Sequence, residues 1–497
     1  MTTRVAVSCL IVAVAYNASL ARASALDDEL QGLLDDQGFT GRVQSTLVTR
    51  LGRNIDQQLA DLGQLVFFDT ALSLHDDTSC ASCHAPTNAW GDTQSISIGV
   101  QSNGVVGARR TGPRNQRHSP AAANSAFYRV LMWDGRIWSE SDDPFDNSDG
   151  FELAQEGPPM FLTPVEGVDT LLVAQAYVPP TNLAEMAGFT GTSGTLGSEF
   201  DDFDDGLGED VPDPDHGGFY GNPVREAIED RFNDIPEYLD LFGEVFPDVA
   251  GGDPIDYSLI ARALAEFELT QVYADAPLDQ FARGDTTAMT DAEKRGAILF
   301  FDDADCVSCH QTSGDSNEMF SDFMAHVVGV PQLTPTFGVG TGDVVFDGAD
   351  EDQDYGLEDA SSNSANRYKF RTAPLRNAAL SAAYFHNGAF TDLEDAIRHH
   401  LDAYNSARDY DPAAAGVASD LTDLGPIEPV LALLDRRIDN PPDLTDSEIT
   451  DLVTFVRDGL LDSNANPTAL CKYVPTAVPS GAAVEKFPQC KTRVRPR

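Results

Sequence analysis

The pattern that most restricts this chain is a pair of C-x-x-C-H motifs, CASCH at 80–84 and CVSCH at 306–310. A bare C-x-x-C suits a redox dithiol or half of a zinc site. A histidine directly after the second cysteine points instead to covalent attachment of haem c. Two thiols about one helical turn apart reach the two vinyl groups of one porphyrin, and the next imidazole meets the iron. A zinc site built from both pairs would leave His84 and His310 without a task. The cofactor-binding residues expected are therefore Cys80, Cys83 and His84 at one site and Cys306, Cys309 and His310 at the other. His84 and His310 are the expected iron ligands.

The surroundings of the motifs repeat as well. GQLVFFD (63–69) precedes the first and GAILFFD (296–302) precedes the second. In each, a helix ending in a Phe-Phe pair would pack on a porphyrin face just ahead of the attachment loop. Such a repeat reads as duplication of one unit. The fold class predicted is mainly α, with two cytochrome-c-like haem domains, long loops and little β. Thr290 with Glu293, and Thr445 with Glu448, have the spacing of capping boxes and mark two helix starts. A long helix over 258–272 closes the first module, which spans 26–275. A linker follows near ADAPLDQFARGD (274–285), and the second module occupies 276–465.

The ends and the charge set the compartment and the partners. Residues 1–25 carry an early arginine, an apolar run over 5–16 and a small-residue ASA ending at Ala25, the layout of a cleaved signal peptide. That predicts an exported, periplasmic protein with no membrane span. In such a compartment Cys471 and Cys490, in the tail 466–497, are expected to form a disulfide. There are 32 basic against 80 acidic residues, a net charge of −48. Nucleic acid is excluded as a partner, because phosphate binding needs clustered cations. Two acidic stretches stand out, a Gly-rich tract at about 190–222 and a second loop at 347–360. Neither has the spacing of a calcium loop, and both read as solvated insertions.

Taken in order, LGQLVFFDTALSLHDDTSCASCH, MWDGR (132–136), LTPVEG (162–167), ILFFDDADCVSCH and YKFRTAPLRNAALSAAYFHNGAFTDLEDAIRHH (368–400) resemble the bacterial dihaem cytochrome c peroxidase / MauG superfamily. The resemblance covers most of residues 50–460. It implies a peroxide-reacting N-terminal haem on His84 and an electron-relaying C-terminal haem on His310. The catalytic glutamate of the PVE segment falls on Glu166, and Gln155 is a second group of that pocket. A pocket carboxylate can take a proton from one peroxide oxygen and return it to the other. Trp133 matches the tryptophan between the haems, an oxidisable relay. A calcium ion between the haems would be held by Thr372 and Pro374. Its asparagine ligand maps to Asn115, although ungapped counting from Trp133 lands on His118.

Two departures from the family pattern carry predictions. In the conventional peroxidases a histidine soon after SIG caps the resting N-terminal haem. Here Val100 stands at that point, so an open sixth site is expected. The second haem takes methionine or tyrosine as its sixth ligand in the family, but no methionine follows Met324. Counting from His386 places the ligand on His400. With Thr391 and Glu394 as a capping box, Leu393, Ile397 and His400 share one helical stripe, and His399 is turned about 100° from it. Tyr404 is the fallback ligand. Bis-histidine ligation should lower the potential relative to His/Met. The expected activity is reduction of hydrogen peroxide with electrons from a small cytochrome c or cupredoxin. The alternatives are MauG-like oxidation of a partner-protein side chain and a non-catalytic electron carrier.

Overall fold

The computed structural model describes residues 25–153, 167–188, 221–339 and 353–490. The expected signal segment, Gln155, Glu166 and nearly all of the acidic tract lie outside the described residues. Five helices organise the rest: α1 (Gln57–Phe67), α2 (Tyr257–Leu269), α3 (Asp291–Phe301), α4 (Leu393–Leu401) and α5 (Asp446–Thr454). Their starts are set by local hydrogen bonds. Asp56 caps α1 by accepting from the backbone N–H of Gln58 and Leu59, and Asp256 caps α2 through Leu259. Thr290 and Glu293 form the expected capping box on α3, and Thr445 and Glu448 do so on α5. On α4 the expectation needs correction. Its cap is Asp392, one residue beyond Thr391, whose hydroxyl instead donates to the Ala415 carbonyl.

The repeat has a physical basis in two helix crossings, α1 on α2 and α3 on α5. Gly63 of the first repeat faces the Ala263 carbonyl so closely that a Cβ there would sit 1.8 Å from its oxygen. Gly296 of the second faces the Asp451 carbonyl, at 2.0 Å by the same construction. Backbones can approach this far only where no side chain intervenes. Each crossing is sealed by an equivalent aromatic pair, Phe67 with Phe267 (centroids 5.3 Å apart) and Phe300 with Phe455 (5.4 Å).

Each crossing anchors its own apolar core, but the chain ends exchange places. Leu30, Leu34 and Phe39 near the N-terminus bury in the core of the second crossing. Leu470, Val478 and Phe487 of the C-terminal tail bury in the core of the first. Each core therefore draws on a terminal segment of the chain as well as on the expected modules 26–275 and 276–465. The segment 274–285 is not a plain linker. It contains a helix, Pro277–Ala282, with Leu278 and Phe281 in the second core. Its Asp279 forms a fully buried two-bond ion pair with Arg376, at 2.7 and 2.8 Å.

Strand is scarce. A small antiparallel sheet joins β1 (Val130–Leu131), β2 (Ile137–Ser139) and β3 (Phe151–Leu153). Trp133 lies in its first turn, where Met132 and Gly135 adopt positive φ. Further on, β4 (Ala325–His326) pairs with a later strand, Phe370–Arg371. The Arg371 N–H donates to the Trp133 carbonyl at 2.7 Å, so this second ribbon is tied to the turn that carries Trp133.

Candidate haem sites and their wall

Both attachment motifs present the same local chemistry. His84 Nδ1 lies 3.0 Å from the Trp90 carbonyl, and His310 Nδ1 lies 3.0 Å from the Phe320 carbonyl. A carbonyl can only accept, so Nδ1 carries the proton and Nε2 keeps its lone pair for a metal. Burial pushes the His84 pKa down and holds His310 at about 4, with His400 as the next contributor to the latter. Both rings are thus neutral and able to ligate. The thiols are equally telling. Burial raises Cys80 and Cys83 and carries Cys306 up to about 12, which disfavours thiolates and suits thioethers.

Cys80, Cys83 and His84 line one cavity of about 490 Å³. Phe67 and Leu264 supply apolar wall, while Trp133, Asn115, Arg117 and Arg136 supply polar edge. Thiols, a free imidazole nitrogen and apolar walls in one cavity fit a covalently held porphyrin. Trp133 is buried, and its indole N–H donates to the His118 carbonyl at 2.7 Å. The Arg371 guanidinium lies 6.0 Å from its ring. Trp133 therefore borders the His84 cavity.

The second site separates the two histidines of α4. His400 Nδ1 sits 2.8 Å from the Ala396 carbonyl, which leaves Nε2 available. Its ring centroid is 6.4 Å from that of His310. Two imidazoles with metal–nitrogen bonds of about 2 Å across one iron would place their centroids about 6 Å apart. His399 has no free nitrogen: Nδ1 is 2.9 Å from Ser406 Oγ and Nε2 is 2.9 Å from the Val328 carbonyl. It is fully buried, and Leu393 and Ile397 pack toward the second core as the stripe requires. The residues present fit a haem between His310 and His400.

The calcium set fits less well. The Thr372 carbonyl accepts from Ser321 Oγ at 2.7 Å and from Arg371 Nη1 at 3.4 Å, which uses both lone pairs. The Asn115 side chain bonds Glu185. The Asp322 carboxylate reaches the Thr372 side chain but is also paired with His326, at 3.0 Å.

Sequence reasoning missed two cavity carboxyls. Burial alone pushes Glu268 up to about 8. Burial also raises Glu185, against Arg136, whose Nη2 is 3.8 Å away. Glu185 sits in a π-helical turn, Leu183–Ala187, a geometry frequent at functional sites. The turn is fixed from below. A Cβ at Gly99 would lie 2.2 Å from the Glu185 carbonyl, and Val100 is fully buried against Ala184 and Ala187. No periodic signal marks such a turn.

Comparison with known proteins agrees with this geometry. The family model for di-haem cytochrome c peroxidases matches residues 57–287. The methylamine utilization protein MauG of Methylophilus methylotrophus is 26% identical over 352 residues, covering 70% of this chain and 74% of that one. The cytochrome c551 peroxidase of Pseudomonas aeruginosa is 25% identical over 378 residues, covering 76% and 80%. In fold, the chain is similar to the diheme peroxidase BthA from Burkholderia thailandensis, with TM-score 0.54, 20% identity, and 87% and 91% covered. A MauG-like protein associated with microbial copper homeostasis has a similar fold, with TM-score 0.52, 21% identity, and 83% and 92% covered. The mainly helical fold is similar to that of these diheme and MauG-like proteins. The chain is thus similar to the dihaem cytochrome c peroxidases and MauG proteins, by a family model over residues 57–287 and by relatives 25–26% identical.

Proposed function

We propose that this enzyme reduces hydrogen peroxide at an open haem on Cys80, Cys83 and His84, with electrons relayed from a bis-histidine haem on Cys306, Cys309, His310 and His400. The carrying observation is an asymmetry. His310 faces a second imidazole at a spacing that suits one iron. At the position of the family's capping histidine, Val100 packs inward on Ala184 and Ala187 instead.

A bound haem supplies the redox centre at which the peroxide O–O bond breaks. The chain's own residues do the rest. Trp90 and Phe320 hold the ligand tautomers through their carbonyls. Trp133 offers an oxidisable ring between the sites. Glu166 and Gln155 keep the roles that the resemblance gives them. Glu185 is a second carboxyl on the cavity wall, oriented by Asn115 and Arg136, that can move a proton between peroxide oxygens. The balance is H₂O₂ with two electrons and two protons to two waters. Export is supported by the Cys471–Cys490 disulfide, a bond suited to an oxidising compartment.

A MauG-like reading, oxidation of a partner protein's side chain, is favoured by the same Val100 and His400. Both depart from the pattern of the conventional peroxidases. The test adds H₂O₂ to the ferric protein with and without a reduced small cytochrome c. Rapid donor oxidation supports the peroxidase, and a persistent high-valent spectrum with slow donor oxidation supports protein modification. An unreactive protein defeats both.

A further inference from the structure

The tail beyond 466 lies outside the family resemblance, yet it is built into the back of the first haem site. Cys471 and Cys490 are bonded, closing a loop over the attachment segment. Within that loop Glu485 is a buried carboxylate. Its Oε1 accepts from Arg110 Nη1 at 2.6 Å, and the two side chains are only 4% and 2% exposed. Its Oε2 accepts from Ser79 Oγ at 2.8 Å and from Ser82 Oγ. Ser82 stands between the two attachment cysteines. Arg110 in turn donates to the Ile98 and Gly99 carbonyls, at 2.6 and 2.8 Å, beside Val100.

The loop makes three further contacts with the same region. Lys486 exchanges backbone hydrogen bonds with 104–106, at 3.0 and 2.9 Å. Phe487 packs on Phe68, and Tyr473 packs on Trp90 with centroids 5.5 Å apart. Trp90 is the residue whose carbonyl orients His84. One closed loop thus touches the attachment turn, the residue that orients His84, and, through Arg110, the segment that carries Val100. A buried charge pair satisfied on every side gives little net stability, but it fixes one geometry strongly.

We propose that the disulfide-closed tail is a positioning clamp for the N-terminal haem, with Glu485 as its positioning residue. It rests on the reading that Cys80, Cys83 and His84 hold a haem. By holding Ser82 and Arg110 together it fixes the attachment turn against the Gly99–Val100 segment, and so sets the geometry at which a ligand meets that haem. The C-terminal haem, on His310 and His400, has no contact with the loop among the described residues and serves as an internal reference.

The test uses the full haem-loaded protein as Glu485→Gln, Glu485→Asp and Cys471→Ser/Cys490→Ser, with cyanide as the probe. Misplacement by about 1 Å can cost about a hundredfold in rate, so a slackened clamp should change cyanide association at the N-terminal haem about tenfold. The Gln and Ser variants should show this change together with a shifted N-terminal ferric spectrum. Asp, which restores the charge, should recover part of it, and the low-spin C-terminal signal should not move. If the disulfide variant's tail becomes protease-sensitive while N-terminal cyanide kinetics stay as in the parent, the clamp is overturned. Equal shifts at both haems overturn it too, by reducing it to general destabilisation. Absence of haem from the 80–84 peptide of the unsubstituted protein, read by mass spectrometry, would instead overturn the underlying site assignment.

Discussion

Replacing each of the two adjacent histidines on α4 by alanine should produce opposite kinds of damage. His399→Ala deletes two hydrogen bonds, to Ser406 and Val328, from a fully buried position. Two bonds at about 1 kcal/mol each, plus a cavity the size of an imidazole, give about 3–5 kcal/mol. At about 2–4 °C per kcal/mol for a unit of this size, the melting temperature should fall by roughly 6–20 °C. Its haem spectra at low temperature should be unchanged, because neither nitrogen of His399 is free for a metal. His400→Ala removes one local bond, to the Ala396 carbonyl one turn back, so its direct cost is small. Its spectral cost is large: the C-terminal haem should lose its low-spin ferric signal, and exogenous imidazole should restore it. Melting curves and ferric spectra of the two variants are the assay. A low-spin signal that survives in His400→Ala, or disappears in His399→Ala, would refute the assignment.

Gly296→Ala should destabilise the second unit by about 3 kcal/mol, because the added methyl meets backbone rather than a movable side chain. Gly32→Ala, on an exposed helical position with open space around it, should stabilise slightly, and calorimetry of the pair checks this. Val100→His should place an imidazole at the point where the conventional peroxidases cap the haem, convert the N-terminal haem to low spin, and slow its peroxide reaction until the protein is reduced. Acid should weaken the fold through His386 and His399, both held near a pKa of about 3 by burial. The unfolded chain binds those protons from about pH 6.5 downward, so their contribution is complete above 6.5 and is lost as pH falls toward 3. The slope is at most about 1.4 kcal/mol per pH unit for each histidine, and His399→Ala should flatten it in denaturant titrations.

Much of this was legible in the chain because the chemistry is local. The C-x-x-C-H spacing, the glycine-to-Phe-Phe repeats and two capping boxes each lie within a few residues, and the stripe that selects His400 over His399 is one helix face. What was not legible depends on distant partners. Gly63 and Gly296 are visible as a repeat, but their closeness to Ala263 and Asp451 is a property of the crossings. Glu185 lies in a short π turn whose importance comes from Val100, Gly99 and Arg136, all remote in sequence. The exchange of chain ends between cores left no periodic mark, so the tail read as an appendage. Thr391 lost the α4 cap to Asp392 because two adjacent residues could each have served, and only the position of the Ala415 carbonyl decides between them.

The central claim is that the two haems are unlike: one open on His84, one closed by His310 and His400. Low-temperature electron paramagnetic resonance of the fully ferric, haem-loaded protein tests it most directly. The account predicts one high-spin signal and one bis-histidine low-spin signal in equal amounts. Two low-spin signals with no high-spin component would contradict it.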